Sequence, residues 1–425
     1  MRQVGRGPTR RNVMCGAAGL LVAGTTGATI MATSSPDHES DKVERSPEEG
    51  DASPAEPFFG PHQAGIATPQ QGYLTFAAFD VTCRTRDELA GLIASWTAIA
   101  AIMTAGKTID DHAPAHDQPP VDTGESLDLT SAHLTLTFGV GPSLFDDRFG
   151  LTRQRPAALA PLPAFSGDRL DLTRSNGDLC IQACADDPQV VFHAIRVLTR
   201  IGHKAASLRW LQAGFQPSAS AVSLKYPSPR NLMGFKDGTN NIVAEDPVVM
   251  AENVWIGEAD PSWMHGGTYV VTRRIQIRFD AWDSASLSEQ EKTFGRQRLS
   301  GAPLGSAEEH DPVPLAAKNS DGSLVIPADA HVRLAAPAEN GGIHLLRRGY
   351  SYSDGIDQQT GQLDAGLFFI AYQRDPRRQF VPLQRKLAAN DALNRFIVHT
   401  RSSIFACPGG VQPGYSWLDG LLRAR

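Results

Sequence analysis

Tyr73-Leu-Thr-Phe-Ala-Ala-Phe-Asp-Val81, with Thr85-Arg-Asp-Glu88 close behind it, decides the fold. The first stretch reads as a strand, with Leu74, Phe76 and Phe79 among its apolar positions. The second is a capping box, so a helix starts there and runs towards Met103. Further along, Leu134–Val140 (Leu-Thr-Leu-Thr-Phe-Gly-Val) alternates strictly as a second strand, and Leu179–Ala183 reads as a third. Between these strands and the first helix, His112–Gly124 is a loop rich in Pro and Asp. Asp187–Ile201 is an amphipathic helix with Val190, Val191, Ala194, Val197 and Leu198 on one side.

The theme returns in the second half. Gly267–Phe279 alternates apolar Val271, Ile275, Ile277 and Phe279 with Thr272, Arg274, Gln276 and Arg278, as a strand does. Leu287–Arg298 begins as a helix with Ser288 near its cap, Gly366–Gln373 is a strand, and Arg385–Phe405 reads as a long final helix. The order β-α-β-β-α-β, met twice, predicts an α+β chain of two ferredoxin-like halves with antiparallel sheets packed together. The halves divide as residues 58–232 and 233–425. No sequence repeat relates them.

Composition bounds the partners. With 41% hydrophobic and 20% charged residues in 425, the chain is that of a soluble globular protein too long for one ordinary core. Residues 34–57 hold eight acids and two bases, which makes them a disordered acidic linker. Beyond residue 57 there are 34 basic and 38 acidic residues, which argues against nucleic acid. Residues 1–33 carry Arg10-Arg11 before a Gly/Ala-rich run from Cys15 to Ala32. That pattern fits a Tat export signal cleaved near Ala32–Ser35, and the run is too weakly apolar for a stable membrane anchor. Cys180 and Cys184 sit on one predicted strand, about 13 Å apart, beyond the roughly 7 Å reach of a disulfide. No Cys-x-x-Cys-His appears, so the chain lacks that covalent attachment motif. The cysteines read as small core residues.

Gly234-Phe-Lys-Asp-Gly-Thr-Asn-Asn241 places one carboxylate, Asp237, in a turn of residues that accept unusual backbone angles. Alone, the string reads as an Asx-type surface turn. Downstream stand His331 in Ala-Asp-Ala-His-Val-Arg-Leu and Arg347 in Leu-Leu-Arg-Arg-Gly-Tyr-Ser-Tyr. With the twin arginine, these motifs in this order resemble the dye-decolourising peroxidase family, and within it the exported bacterial deferrochelatase/peroxidase branch. The resemblance runs from about Pro61 to the C-terminus.

That resemblance implies the duplicated architecture, of the dimeric α+β barrel type, and one non-covalent haem b per chain. It also implies hydrogen peroxide and organic reductants such as phenols or dyes as substrates, an iron-uptake system as a further partner, and a homo-oligomer. His331 would be the iron ligand, Asp237 the distal acid–base group and Arg347 the fixed distal charge. Gly238, Thr239 and Asn240 would approach the haem edge and propionates. On an extended stretch His331 and Arg333 point the same way, so Arg333 would reach a propionate. Arg348 would face away from Arg347, and His344, at odd spacing from Arg347, would not share its site.

His310, among acidic neighbours, is the second candidate ligand but reads as solvated. His112 and His116 have metal-pair spacing that Pro114 spoils. Some branches of the family carry Asn where this chain has Gly349. Gly139-Val-Gly141-Pro142 lacks a third glycine and so is no dinucleotide turn; it reads as a strand cap near the cofactor. Trp210, Trp263 and Tyr352 could relay electrons, with core packing their default. Two other functions compete with peroxidase activity: release of iron from haem with the porphyrin intact, and non-catalytic haem carriage.

Overall fold

The capping box forms: Thr85 Oγ1 accepts from Glu88 N–H, and Glu88 accepts from the N–H groups of Arg84 and Thr85. The computed structural model describes residues 55–109, 117–217, 228–258 and 260–423. The segment read as an export signal, nearly all of the stretch read as an acidic linker, His112 and His116 lie outside these residues.

The first unit is β1 (Tyr73–Val81), α1 (Arg86–Thr104), β2 (Thr135–Val140), β3 (Leu179–Ala185), α2 (Pro188–Gly202) and β4 (Ala206–Phe215). Its antiparallel sheet runs β4-β1-β3-β2, the ferredoxin-like order. After α3 (Pro247–Asn253) the order repeats. The second unit has β5 (Thr268–Ile277), α4 (Phe279–Asp283), α5 (Leu287–Phe294), α6 (His331–Ala335), β6 (Leu346–Arg347) and β7 (Tyr350–Ile356), then β8 (Leu363–Gln373), α7 (Phe380–Asn390) and β9 (Ile397–Cys407). A last turn, α8 (Asp419–Leu422), follows. The second sheet runs β9-β5-β8-β7, with β6 also on β8. Short seams, Val140 against Ala406 and Phe215 against Ser351, join the two sheets at both edges into a closed barrel.

Alternation explains the layers. On β1, Leu74, Phe76 and Ala78 face into the barrel, while Ala77, Phe79 and Val81 face the helices α1 and α2. The interior is filled by Trp210, Tyr350, Tyr352, Phe368 and Phe405 from both sheets. Each such buried side chain contributes about 1.5–3 kcal/mol. Cys83, Cys180, Cys184 and Cys407 are buried free thiols. Trp210 stacks on Phe76, and the Arg274 guanidinium lies 3.9 Å over the ring of Tyr352; both aromatic rings are core residues.

Three expectations are corrected. The final helix is shorter and earlier: α7 stops at Asn390 and residues 397–407 are β9. Asp391 caps a new 3-10 turn, and Ile397-Val-His-Thr-Arg-Ser-Ser-Ile-Phe is too rich in β-branched residues to favour a helix. As a strand it pairs with β5 along its whole length, which completes the second unit. The cap of α5 is Ser286 rather than Ser288. Gly141 does close β2, but its neighbours are Gly177 and Phe405, away from the cavity described next.

Candidate active site

One cavity opens between the second sheet and the helices α6 and α7. Its apolar walls include Ile275, Ile277 and Phe369 on the sheet side and Phe294, Val332, Leu383 and Leu387 on the helix side. Asp237, Gly238, Thr239, Asn240, His331 and Arg347 all line it, so the structure brings together six of the seven residues expected there.

Arg333 is the exception. Its stretch is not extended: His331–Ala335 is the short helix α6, in which residues two apart lie on different faces. Arg333 turns away and donates to the carbonyls of Ile326 and Leu315, so it does not line the cavity.

His331 opens α6, where its ring meets a carboxylate that sequence reasoning missed. Asp391, buried at the end of α7, accepts from His331 Nδ1–H at 2.6 Å. Its other oxygen accepts from the backbone N–H of Leu393 at 2.9 Å. Asp391 thereby fixes the tautomer and leaves Nε2 as the ring atom available to a metal. Burial pushes the imidazole pKa down, but the Asp391 carboxylate outweighs it, and the group ends above the ordinary histidine value. With a redox metal on Nε2, Asp391→Asn is expected to raise the metal's midpoint potential, because less negative charge stands behind the imidazole. Spectroelectrochemistry checks this; an unchanged potential would contradict it.

The turn carrying Asp237 needs its glycines. Gly234 has φ +85° and Gly238 has φ +105°, and a Cβ on Gly238 would project into open space where a ligand's edge can approach. Asp237 Oδ1 lies 3.4 Å from Arg347 Nη1, a loose contact between side chains that are each about one-third exposed. Arg347 Nη2 donates to Asn240 O at 3.1 Å. Asn241 then ties the turn to β6 like an extra strand residue. Its Oδ1 accepts from Arg347 N–H at 2.9 Å and its Nδ2 donates to Arg347 O at 2.8 Å. A carboxylate and a permanent cation thus stand side by side, neither locked.

The two also line a second, polar cavity with Gln70, Gln216, Ser228 and Arg230. There Gly349 O accepts from both Gln70 and Gln216 side chains, at 2.7 and 2.6 Å. Arg348 turns the other way into the barrel, towards Thr68 and Gln71.

Other histidines sort clearly. The His310 side chain is 70% exposed and outside the cavity. His344 does line it together with Arg347, contrary to the spacing argument, because β6 starts only at Leu346 and alternation does not reach back. His399 on β9 also lines it, its pKa depressed to about 3 by burial and by nearby Arg273, so it is a neutral imidazole. The misreading of β9 as helix hid it.

Residues 63–216 match the family model for the N-terminal part of Dyp-type peroxidases, and residues 228–412 match that for the C-terminal part. The chain belongs to the DyP-type peroxidase family. Among its relatives, a deferrochelatase of Escherichia coli K12 is 39% identical over 93% of this chain and 94% of that one. Another, from Escherichia coli O6:K15:H31, is 37% identical over 98% and 97%. Among solved structures, ferric DtpA from Streptomyces lividans superposes with a TM-score of 0.81 at 42% identity, covering 88% of this chain and 98% of that one. A DyP-type peroxidase from Cellulomonas bogoriensis gives 0.80 at 37%, covering 88% and 99%. This DyP-type peroxidase is a haem-dependent enzyme on the deferrochelatase branch of the family.

The residues present fit haem. An imidazole with its second nitrogen anchored, walls of Ile, Leu, Val and Phe, a side-chain-free approach at Gly238 and a cation in Arg347 are the donor set such a group needs.

Proposed function

We propose that the protein holds one haem b per chain without a covalent link, with His331 Nε2 on the iron, and uses it to oxidise organic donors with hydrogen peroxide. When bound, haem supplies the iron that takes oxidising equivalents from peroxide and delivers them to donors. Asp237 accepts the proton of one peroxide oxygen and returns it to the other as it leaves. Arg347 holds a permanent positive charge beside that leaving oxygen, since guanidinium does not deprotonate in proteins. Asp391 keeps His331 oriented and electron-rich. The observation that carries this reading is one cavity lined both by an anchored histidine and by a neighbouring Asp–Arg couple. Absorption spectra of purified protein, with and without added haem, test it: a strong Soret band that peroxide perturbs supports it, and no band under either condition rejects it.

Gly238, Thr239 and Asn240 are assigned to the haem edge. The Thr239 hydroxyl is already spent on Glu309, so its contact would be through the backbone.

Iron release is a second activity for the same site, favoured by the likeness to proteins named deferrochelatase. Anaerobic incubation with haem and assay of metal-free protoporphyrin tests it; no porphyrin above a protein-free control sinks it. An iron-uptake system is the partner this would serve, and we assign a homo-oligomer to the working form. Non-catalytic haem carriage has no comparison in its favour.

Arg10-Arg11 carries the proposal that the protein leaves the cytoplasm by the Tat route. Replacing both by Lys is expected to leave the protein in the cytoplasm on cell fractionation; unimpaired export would refute the assignment.

A further inference from the structure

Asp237 is held by little of its own. Its carboxylate makes one loose contact, its backbone N–H donates to Pro229 O at 2.9 Å, and its turn contains two left-handed glycines. Asn240 and Asn241 tie the far end of the turn to Arg347, and a second set of bonds holds it around Asp237 itself. The residue before Asp237 and the residue two after it converge on one carboxylate: Lys236 Nζ on Glu309 Oε2, and Thr239 Oγ1 donating to Glu309 Oε1 at 2.9 Å. Glu309 and Lys236 are 9% and 8% exposed, so this is a buried ion pair.

We propose that Glu309 is a positioning residue that acts through Asp237, clamping the turn from both sides so that the carboxylate stands beside Arg347. This rests on the assignment of Asp237 made above. Three features support it. Burial would push the Glu309 carboxyl up, yet bonds from Lys236, Ser228 and Thr239 hold it below the usual range, so the clamp is charged. Glu309 is itself anchored, because Arg296 Nη1 donates to Glu309 O at 3.0 Å and to Gly301 O at 2.7 Å. Gly301, at φ +80°, would place a Cβ 2.6 Å from Lys236 Cδ, so only glycine lets the lysine stem lie flat there. The clamp lies on the excursion between α5 and α6 that also leads to His331, which links the two sides of the cavity.

A double-mutant cycle on the haem-loaded protein separates positioning from bulk stability. The variants are Glu309→Gln, Asp237→Asn and the pair. The readouts are the rate of the peroxide-induced Soret change, the rate of cyanide binding, and haem content. We expect Glu309→Gln to retain haem and to slow both rates on the order of 10- to 100-fold, the cost of a displaced reacting group. In the Asp237→Asn background the same change should cost less than about twofold. Equal losses in both backgrounds, or no loss in the parent, would overturn the clamp and leave Asp237 standing. An undiminished rate in Asp237→Asn alone would overturn the underlying assignment instead. If Glu309→Gln does not fold, Glu309→Asp keeps the charge with a shorter reach and carries the same cycle. A partial loss that disappears in the Asp237→Asn background is then expected, and an additive loss overturns the proposal.

Discussion

Asp237→Asn should slow the peroxide-induced change in the haem spectrum by roughly 10²- to 10⁴-fold, the range of a general acid–base contribution. The substitution preserves shape and removes only the ability to take and return a proton. Arg347 would keep its bond to Asn240 O and its backbone tie to Asn241, so the wall of the cavity should stay in place. Haem content and melting temperature should therefore match the parent within error. Arg347→Leu tests the other half of the couple and should cost roughly 10²- to 10³-fold, as loss of one electrostatic donor does. Stopped-flow spectra over a range of peroxide concentrations measure both. Parent-like rates in the two variants would remove Asp237 and Arg347 from the chemistry.

His331→Ala should lower haem affinity by at least about 10-fold and abolish the ferric spectrum of the parent. Geometry decides: the second nitrogen of His331 is hydrogen-bonded to buried Asp391 at 2.6 Å, whereas that of His399 lies 3.8 Å from Asp168, beyond a hydrogen bond. The truncation leaves Asp391 buried beside a space the size of an imidazole. Free imidazole should enter that space, take up the bond to Asp391 and restore the spectrum in a titration. A variant that binds haem with an unchanged spectrum would move the ligand to His344 or His399, which share the cavity.

Much of the fold could be read locally because its signals are local. The Thr85–Glu88 box and the alternation of Leu74 and Phe76 with Ala77 and Phe79 each depend on neighbours a few residues away. Where sequence reasoning failed, the deciding partner was distant. Ile397–Cys407 carries β-branched residues that disfavour a helix, but the pairing that fixes it as a strand is with β5, more than 100 residues earlier. Asp391 lies 60 residues beyond His331, and nothing near it marks a ligand's partner beyond an aspartate ending a helix. Glu309 stands among Glu308, His310 and Asp311, a run that reads as solvated; its burial comes from Lys236, 73 residues back. Arg333 was placed in the cavity by strand geometry, and a single helical turn at His331 moves it away. Motif residues were thus legible, while the groups that hold them in place were not.

A crystal structure of the haem-loaded protein would show which histidine meets the iron and where Asp237 and Arg347 stand. His331 Nε2 is expected on the iron, with Asp391 still on Nδ1, and the Asp237 and Arg347 side chains together over the opposite face of the porphyrin. Iron bound through His344 or His399, or Asp237 and Arg347 lying on the same face as the ligand, would contradict this expectation.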